Sequence, residues 1–217
     1  MEYFIDCFQV VVENHKDQLR RKVREMARTP STMLELGTKA PYFSLKDASG
    51  ETVVFNDKTD ARGILVMFIC NHCPFVIHVA ERLAELTNDF MQRGFKVYAI
   101  NSNDIEKYPD DSPEKMRQEV ESRNYQFPYL LDETQEVAKS YRAACTPDFY
   151  LFDRNHTLVY RGRMDGSTPG NDVEVTGHEL LEAVNALEHG KHVNAEQQPS
   201  IGCNIKWKPG NEPDYFG

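Results

Sequence analysis

The chain has 217 residues, 40% hydrophobic and 27% charged, and its 25 basic against 34 acidic side chains leave a net charge of −9. That profile suits one soluble domain with appendages that can bury its own core. It weighs against a phosphate-backbone binder, which needs a basic face. No stretch approaches the roughly 18 apolar residues of a membrane span, so neither nucleic acid nor a membrane is an expected partner.

Residues 1–31 read as an N-terminal extension. Acidic residues, not basic ones, precede and enter its first apolar run, which argues against a secretory leader. Lys16 to Arg28 is a basic, helix-compatible run that Thr29-Pro30-Ser31 breaks. The five cysteines, Cys7, Cys70, Cys73, Cys145 and Cys203, are odd in number and widely spread, unlike a disulfide framework. Together these features point to the cytoplasm, where thiols stay reduced and disulfides are mostly transient.

The domain proper is expected over 32–190. Phe43-Ser44-Leu45 and Thr52-Val53-Val54-Phe55 flank Ser49-Gly50 and read as a hairpin. Gly63 to Ile69 is a continuous apolar run, the mark of a strand buried on both faces. Val76, Val79, Ala80, Leu83, Leu86 and Phe90 then recur at helical spacing until Gly94. Phe95 to Asn101 reads as a second buried strand. The loop that follows, through Asp110-Asp111-Ser112, lies on the same rim as the start of the first helix and reads as a solvated acidic loop. Pro113 opens a helix to about Arg123. A strand over 127–131, a short helix over 134–141, a hairpin of 149–152 with 158–160 and a helix over 175–187 complete the domain. Residues 191–217, which hold the only tryptophan, Trp207, read as an irregular C-terminal tail laid over it. The order predicts an α/β fold, a central mixed sheet with helices on both faces.

The chemistry concentrates in Phe68-Ile69-Cys70-Asn71-His72-Cys73-Pro74-Phe75, between a buried strand and a long helix. The first turn of a helix has unpaired N–H groups and a partial positive charge. A cysteine there has a stabilised thiolate and a lowered pKa. Pro74 suits the first helical position, where no N–H is required, and so puts Cys73 at the helix entry. A protonated His72 beside it would stabilise the thiolate further. Cys70 is close enough in sequence for a Cys70–Cys73 disulfide. A zinc half-site is the competing reading, but structural zinc sites take a second ligand pair and no second Cys-x-x-Cys is present.

Residues from about Gly37 to Leu187 resemble the thioredoxin superfamily, in its peroxiredoxin-like branch of alkyl-hydroperoxide-reductase and thiol-specific-antioxidant proteins. Leu65-Val66-Met67-Phe68 looks like the central strand of that fold, and Cys73 follows Phe68 at the spacing of the thioredoxin nucleophile. Cys73-Pro74 is similar to the peroxidatic Cys-Pro of peroxiredoxins. Two departures stand out. In the peroxiredoxin Pro-x-x-x-Thr-x-x-Cys pattern the proline place is Val66 and the threonine place is Cys70. Ala144-Cys145-Thr146-Pro147-Asp148 resembles the cis-proline loop of thioredoxins, and Pro147 stands where peroxiredoxins carry a catalytic arginine.

The resemblance implies a thioredoxin-like fold in which Thr146 and Pro147 form the wall opposite Cys73, with the Thr146 backbone free to pair with an incoming peptide. It implies a thiol-disulfide oxidoreductase in which Cys73 attacks and Cys70 resolves, with Cys145 and Cys203 as further possible resolving thiols. Substrates would be protein or small-molecule disulfides, electrons would come from a dithiol donor, and neither an organic cofactor nor a metal is called for. Two alternatives stand beside it. One is an antioxidant thiol peroxidase with Cys73 as the peroxidatic cysteine and hydroperoxides as substrates. The other is a copper- or zinc-binding module built on Cys70, Cys73 and a histidine.

Overall fold

The computed structural model describes residues 28–56 and 59–216. The expected basic helix, apart from Arg28, and Cys7 lie outside the described residues. Ten strands and four α-helices follow in chain order within them. The strands are β1 (Arg28–Pro30), β2 (Phe43–Asp47), β3 (Thr52–Phe55), β4 (Gly63–Phe68), β5 (Lys96–Asn101), β6 (Tyr129–Leu131), β7 (Cys145–Thr146), β8 (Asp148–Asp153), β9 (Leu158–Gly162) and β10 (Ile201–Asn204). The helices are α1 (Pro74–Gln92), α2 (Pro113–Arg123), α3 (Glu136–Ser140) and α4 (His178–Glu188).

Seven strands form a mixed sheet in the order β3-β2-β6-β5-β4-β8-β9. β4, β5 and β6 run parallel, whereas β8 and β9 are antiparallel additions at one side and β2–β3 is the expected hairpin at the other. Side chains alternate across a strand, and β4 and the interiors of β5 and β8 are apolar on both faces, so the sheet sits between two cores. Leu65 and Met67 of β4, Val97 and Ala99 of β5, and Phe149 and Leu151 of β8 face one core with α1 and α4. Ile64, Val66 and Phe68, Tyr98 and Ile100, and Tyr150 and Phe152 face the other, with Tyr141, Ile205 and Trp207. α1 contributes Val79, Leu83, Leu86 and Phe90 from its buried stripe, the helical spacing anticipated from sequence.

Three boundaries depart from the expected ones for local reasons. α4 starts at His178 rather than near 175, because the Asp165 carboxylate accepts the N–H groups of Thr176 and Gly177 and Gly177 turns with φ +68°. The strand expected over 127–131 is confined to Tyr129–Leu131, after Pro128, which has no N–H to give. The loop before α2 contains a single 3-10 turn, Pro109–Asp111.

The C-terminal tail departs furthest from expectation. It is not irregular throughout: Ile201–Asn204 form β10, the middle strand of a second, three-stranded sheet in the order β1-β10-β7. Four residues with a central glycine give no readable alternation. Their extended state is imposed by ladders on both edges, Thr29 opposite Gly202 on one side and Thr146 opposite Cys203 on the other.

Candidate active site

The site is assembled where β4 ends, α1 begins and the β7–β8 loop comes beside them. Cys73 is the N-cap of α1, with extended backbone at φ −72° and ψ 120°, and its carbonyl accepts the first helical bond from the Ile77 N–H at 2.9 Å. Pro74 occupies the first helical position as expected. The Thr146–Pro147 peptide bond is cis, as in the loop it resembles.

Cys73 is wholly buried, with relative exposure 0%. Its Sγ lies 3.2 Å from the Thr146 carbonyl oxygen and 2.9 Å from the Sγ of Cys203. Cys70, also buried, places its Sγ 3.4 Å from the Thr146 hydroxyl. All four described cysteines are free thiols.

Burial alone would push the Cys73 thiol up. Hydrogen bonds from the side chains of Cys203, Cys70 and Thr146 and from the Val76 N–H outweigh that burial and hold Cys73 well below the usual cysteine value. The neighbours move the other way. Burial, followed by the hydrogen bond and charge of Cys73, lifts Cys70, and the hydrogen bond to Cys73 followed by burial lifts Cys203. Cys73 is therefore the sulfur of the cluster that ionises first.

Cys145 lies on the other side of the same loop. It precedes Thr146 in β7, so the two side chains project to opposite faces. Its Sγ is 3.9 Å from the Pro147 carbonyl oxygen, and burial followed by the neighbouring Asp148 and Cys73 charges raises its pKa far above the ordinary value. Asp148 is itself buried, bonded through one oxygen to the Tyr150 hydroxyl at 2.8 Å, and its carboxyl is raised to about 8, chiefly by desolvation.

His72 does not take the place expected for it. Its Nδ1 lies 2.7 Å from Oδ2 of the fully buried Asp111, and its ring stacks on Tyr108 with centroids 5.4 Å apart. It is held by the Asp111 loop, and the hydrogen bonds that lower Cys73 come from other groups. Asp111 corrects a second expectation, since the loop carrying it is not wholly solvated. Asp110 is exposed, but Asp111 accepts the Asn71 N–H at 2.8 Å and the Asn103 side-chain amide at 2.8 Å. It thereby fixes the turn between Cys70 and Cys73. The only signal for it in the sequence was a pair of acids just before Ser112-Pro113, a pattern that solvated loops share.

Cys70 Sγ, a His72 ring nitrogen and an Asp111 oxygen lie within 4.8 Å of one another, a donor set that differs from the anticipated one by Asp111 in place of Cys73. Cys70 and Asp111 already have protein partners, Thr146 for the thiol and Asn71 and Asn103 for the carboxylate. These hydrogen bonds account for the cluster as a brace of the turn.

Comparison with known proteins bears on the fold and the family. The AhpC/TSA family model matches residues 36–161, more than half of the chain. A putative peroxiredoxin of Mycobacterium tuberculosis, Rv2521, is 30% identical over 115 residues, covering 53% of this chain and 68% of that protein. The thiol-disulfide oxidoreductase ResA of Bacillus thuringiensis is 21% identical over 131 residues, 60% of this chain and 71% of that one. Among solved structures, an uncharacterized conserved protein from Geobacillus kaustophilus superposes with a TM-score of 0.83 at 52% identity, over 85% of this chain and 98% of that chain. The thioredoxin domain of an oxidoreductase from Bacteroides vulgatus, at 21% identity and a TM-score of 0.52, shares the fold over 70% of this chain and 99% of its own. The fold is therefore thioredoxin-like, and the chain belongs to the AhpC/TSA family.

Proposed function

We propose that the protein is a thiol-disulfide oxidoreductase with Cys73 as its nucleophile. The observation that carries this reading is a buried cysteine at a helix N-cap whose sulfur lies 2.9 Å from that of Cys203, its thiol held well below the usual cysteine value by the hydrogen bonds around it. A thiolate poised in this way attacks a disulfide sulfur, forming a mixed disulfide and releasing one substrate thiol. A second protein thiol then attacks Cys73 and releases the other. Cys70 was the resolving thiol expected from sequence, and Cys203 stands at the same sulfur. Thr146 and Pro147 wall the site, and a dithiol donor regenerates the pair. Free buried cysteines of this kind work in a reducing compartment, which favours the cytoplasm.

One observation favours the antioxidant peroxidase as a second reading. The Thr146 hydroxyl lies 3.4 Å from the Cys70 sulfur within the site, so a hydroxyl is present although position 70 is not threonine. A peroxide would convert Cys73 to the sulfenic acid, and a neighbouring thiol would condense with it to a disulfide and water.

The test supplies one reduced preparation with either a disulfide or hydrogen peroxide and compares turnover. The oxidoreductase reading expects faster disulfide turnover, lost in Cys73→Ser. Fast peroxide turnover with negligible disulfide reduction contradicts it and establishes the peroxidase.

A further inference from the structure

The edge of β7 that a peptide would use is already taken. β10 lies antiparallel on it, with Cys203 opposite Thr146 and Asn204 opposite Cys145. Pairing on the residue before Pro147 is the mode by which an added strand would be read at this site. The register brings the Cys203 sulfur to 2.9 Å from Cys73, the position that the attacked sulfur of a bound peptide would need.

The fit depends on Gly202. A Cβ there would come within 1.9 Å of the Thr146 carbonyl oxygen, so only glycine lets the tail approach this closely. The tail is held beyond the strand as well. The Lys206 N–H donates to the Asn103 side chain at 2.8 Å, the Gln135 amide donates to the Lys206 carbonyl at 3.0 Å, and Trp207 is buried in the second core.

We propose that β10 is a built-in occupant of the peptide groove and that Cys203, rather than Cys70, is the thiol that closes a disulfide with Cys73. This rests on the oxidoreductase reading above and adds its regulation. An external peptide disulfide pairs on β7 only after β10 is displaced. Cys73 thiolate then attacks it, giving the Cys73 mixed disulfide and one free thiol. When β10 returns, Cys203 attacks the Cys73 sulfur, its proton passing to the departing sulfur. The products are the Cys73–Cys203 disulfide and the second substrate thiol. Two protein thiols are oxidised and one substrate disulfide is reduced to two thiols. Return of the strand expels the product.

The test uses the full-length reduced protein. One equivalent of oxidised glutathione is added and linkages are mapped by mass spectrometry. The Cys73–Cys203 disulfide is expected as the main product. In Cys203→Ser, the glutathione adduct on Cys73 should persist at least about tenfold longer. Gly202→Val retains every thiol but cannot seat the strand, so it should form the glutathione adduct on Cys73 at least about tenfold faster than the parent and, like Cys203→Ser, resolve it at least about tenfold more slowly. A Cys73–Cys70 disulfide as the main product, with Cys203→Ser unchanged, overturns the inference and leaves the oxidoreductase reading intact. No linkage at Cys73 at all overturns both. Should Gly202→Val fail to fold by circular dichroism, the Cys203→Ser adduct lifetime decides, because that variant keeps the strand.

Discussion

Cys73 and Cys145 are equally buried and flank the same Thr146–Pro147 loop, yet the fold drives their thiols in opposite directions. Burial raises both. Cys73 has four hydrogen-bond donors aimed at it, including two thiols and a backbone N–H at the start of α1. Cys145 has the charges of Asp148 and Cys73 nearby, with one Gly202 backbone bond in its favour. The difference teaches that desolvation does not decide which thiol has the lowered pKa here. The hydrogen bonds do, and they come from three separated parts of the chain: the turn after β4 with the start of α1, the loop before β8 and the tail strand.

The largest break in that comparison is removal of the favoured sulfur. Cys73→Ser should abolish disulfide turnover, whereas Cys145→Ala should stay within about twofold of the parent in the same assay. Next comes the charge side of the Cys145 region. The Asp148 carboxyl is raised from 3.8 to about 8, so the native state keeps a proton that the unfolded chain has lost over that window. More protons bound in the native state means that this group's contribution to stability falls as pH rises from about 4 to 8. Asp148→Asn should flatten that slope, gaining on the order of several kcal/mol relative to the parent at pH 9 and little at pH 4, by urea unfolding. A parent and variant with parallel pH profiles contradict it.

Asp111→Ala strips the acceptor from the Asn71 N–H and from the Asn103 amide. It should cost about 2–3 kcal/mol of unfolding free energy and should loosen the turn that carries Cys73. Thr146→Val removes one of the groups that lower Cys73 and should raise its titration midpoint, with folding stability changed by about 1 kcal/mol. The smallest effect is on the other cysteine. Cys145→Ala loses one buried sulfur and should cost about 1 kcal/mol without moving the Cys73 midpoint.

How far the site was legible follows from how local each part is. Cys70, Cys73 and Pro74 lie in one short segment whose strand-then-helix setting shows in apolar spacing, so the helix entry was readable. Thr146 and Pro147 were readable through the resemblance of their loop. The sheet was readable because β4 is apolar throughout, β5 and β8 are apolar between their polar ends, and α1 carries a clear stripe. Cys203 was visible as a cysteine in a tail, but its contact spans 130 residues and depends on a four-residue strand without a pattern of its own. Asp111 looked like its exposed neighbour Asp110, because only tertiary packing distinguishes a buried acid from a solvated one. His72 was assigned by adjacency in sequence. Its ring is captured by Asp111 from a loop that adjacency does not reveal.

The most direct test of the account is a pH titration of thiolate absorbance near 240 nm on the reduced full-length protein, with Cys73→Ser as the difference. It needs no reagent to reach a buried sulfur. The account predicts one thiolate, lost in Cys73→Ser, that titrates well below the ordinary cysteine value of about 8.5. A Cys73-dependent step at or above that value would contradict it.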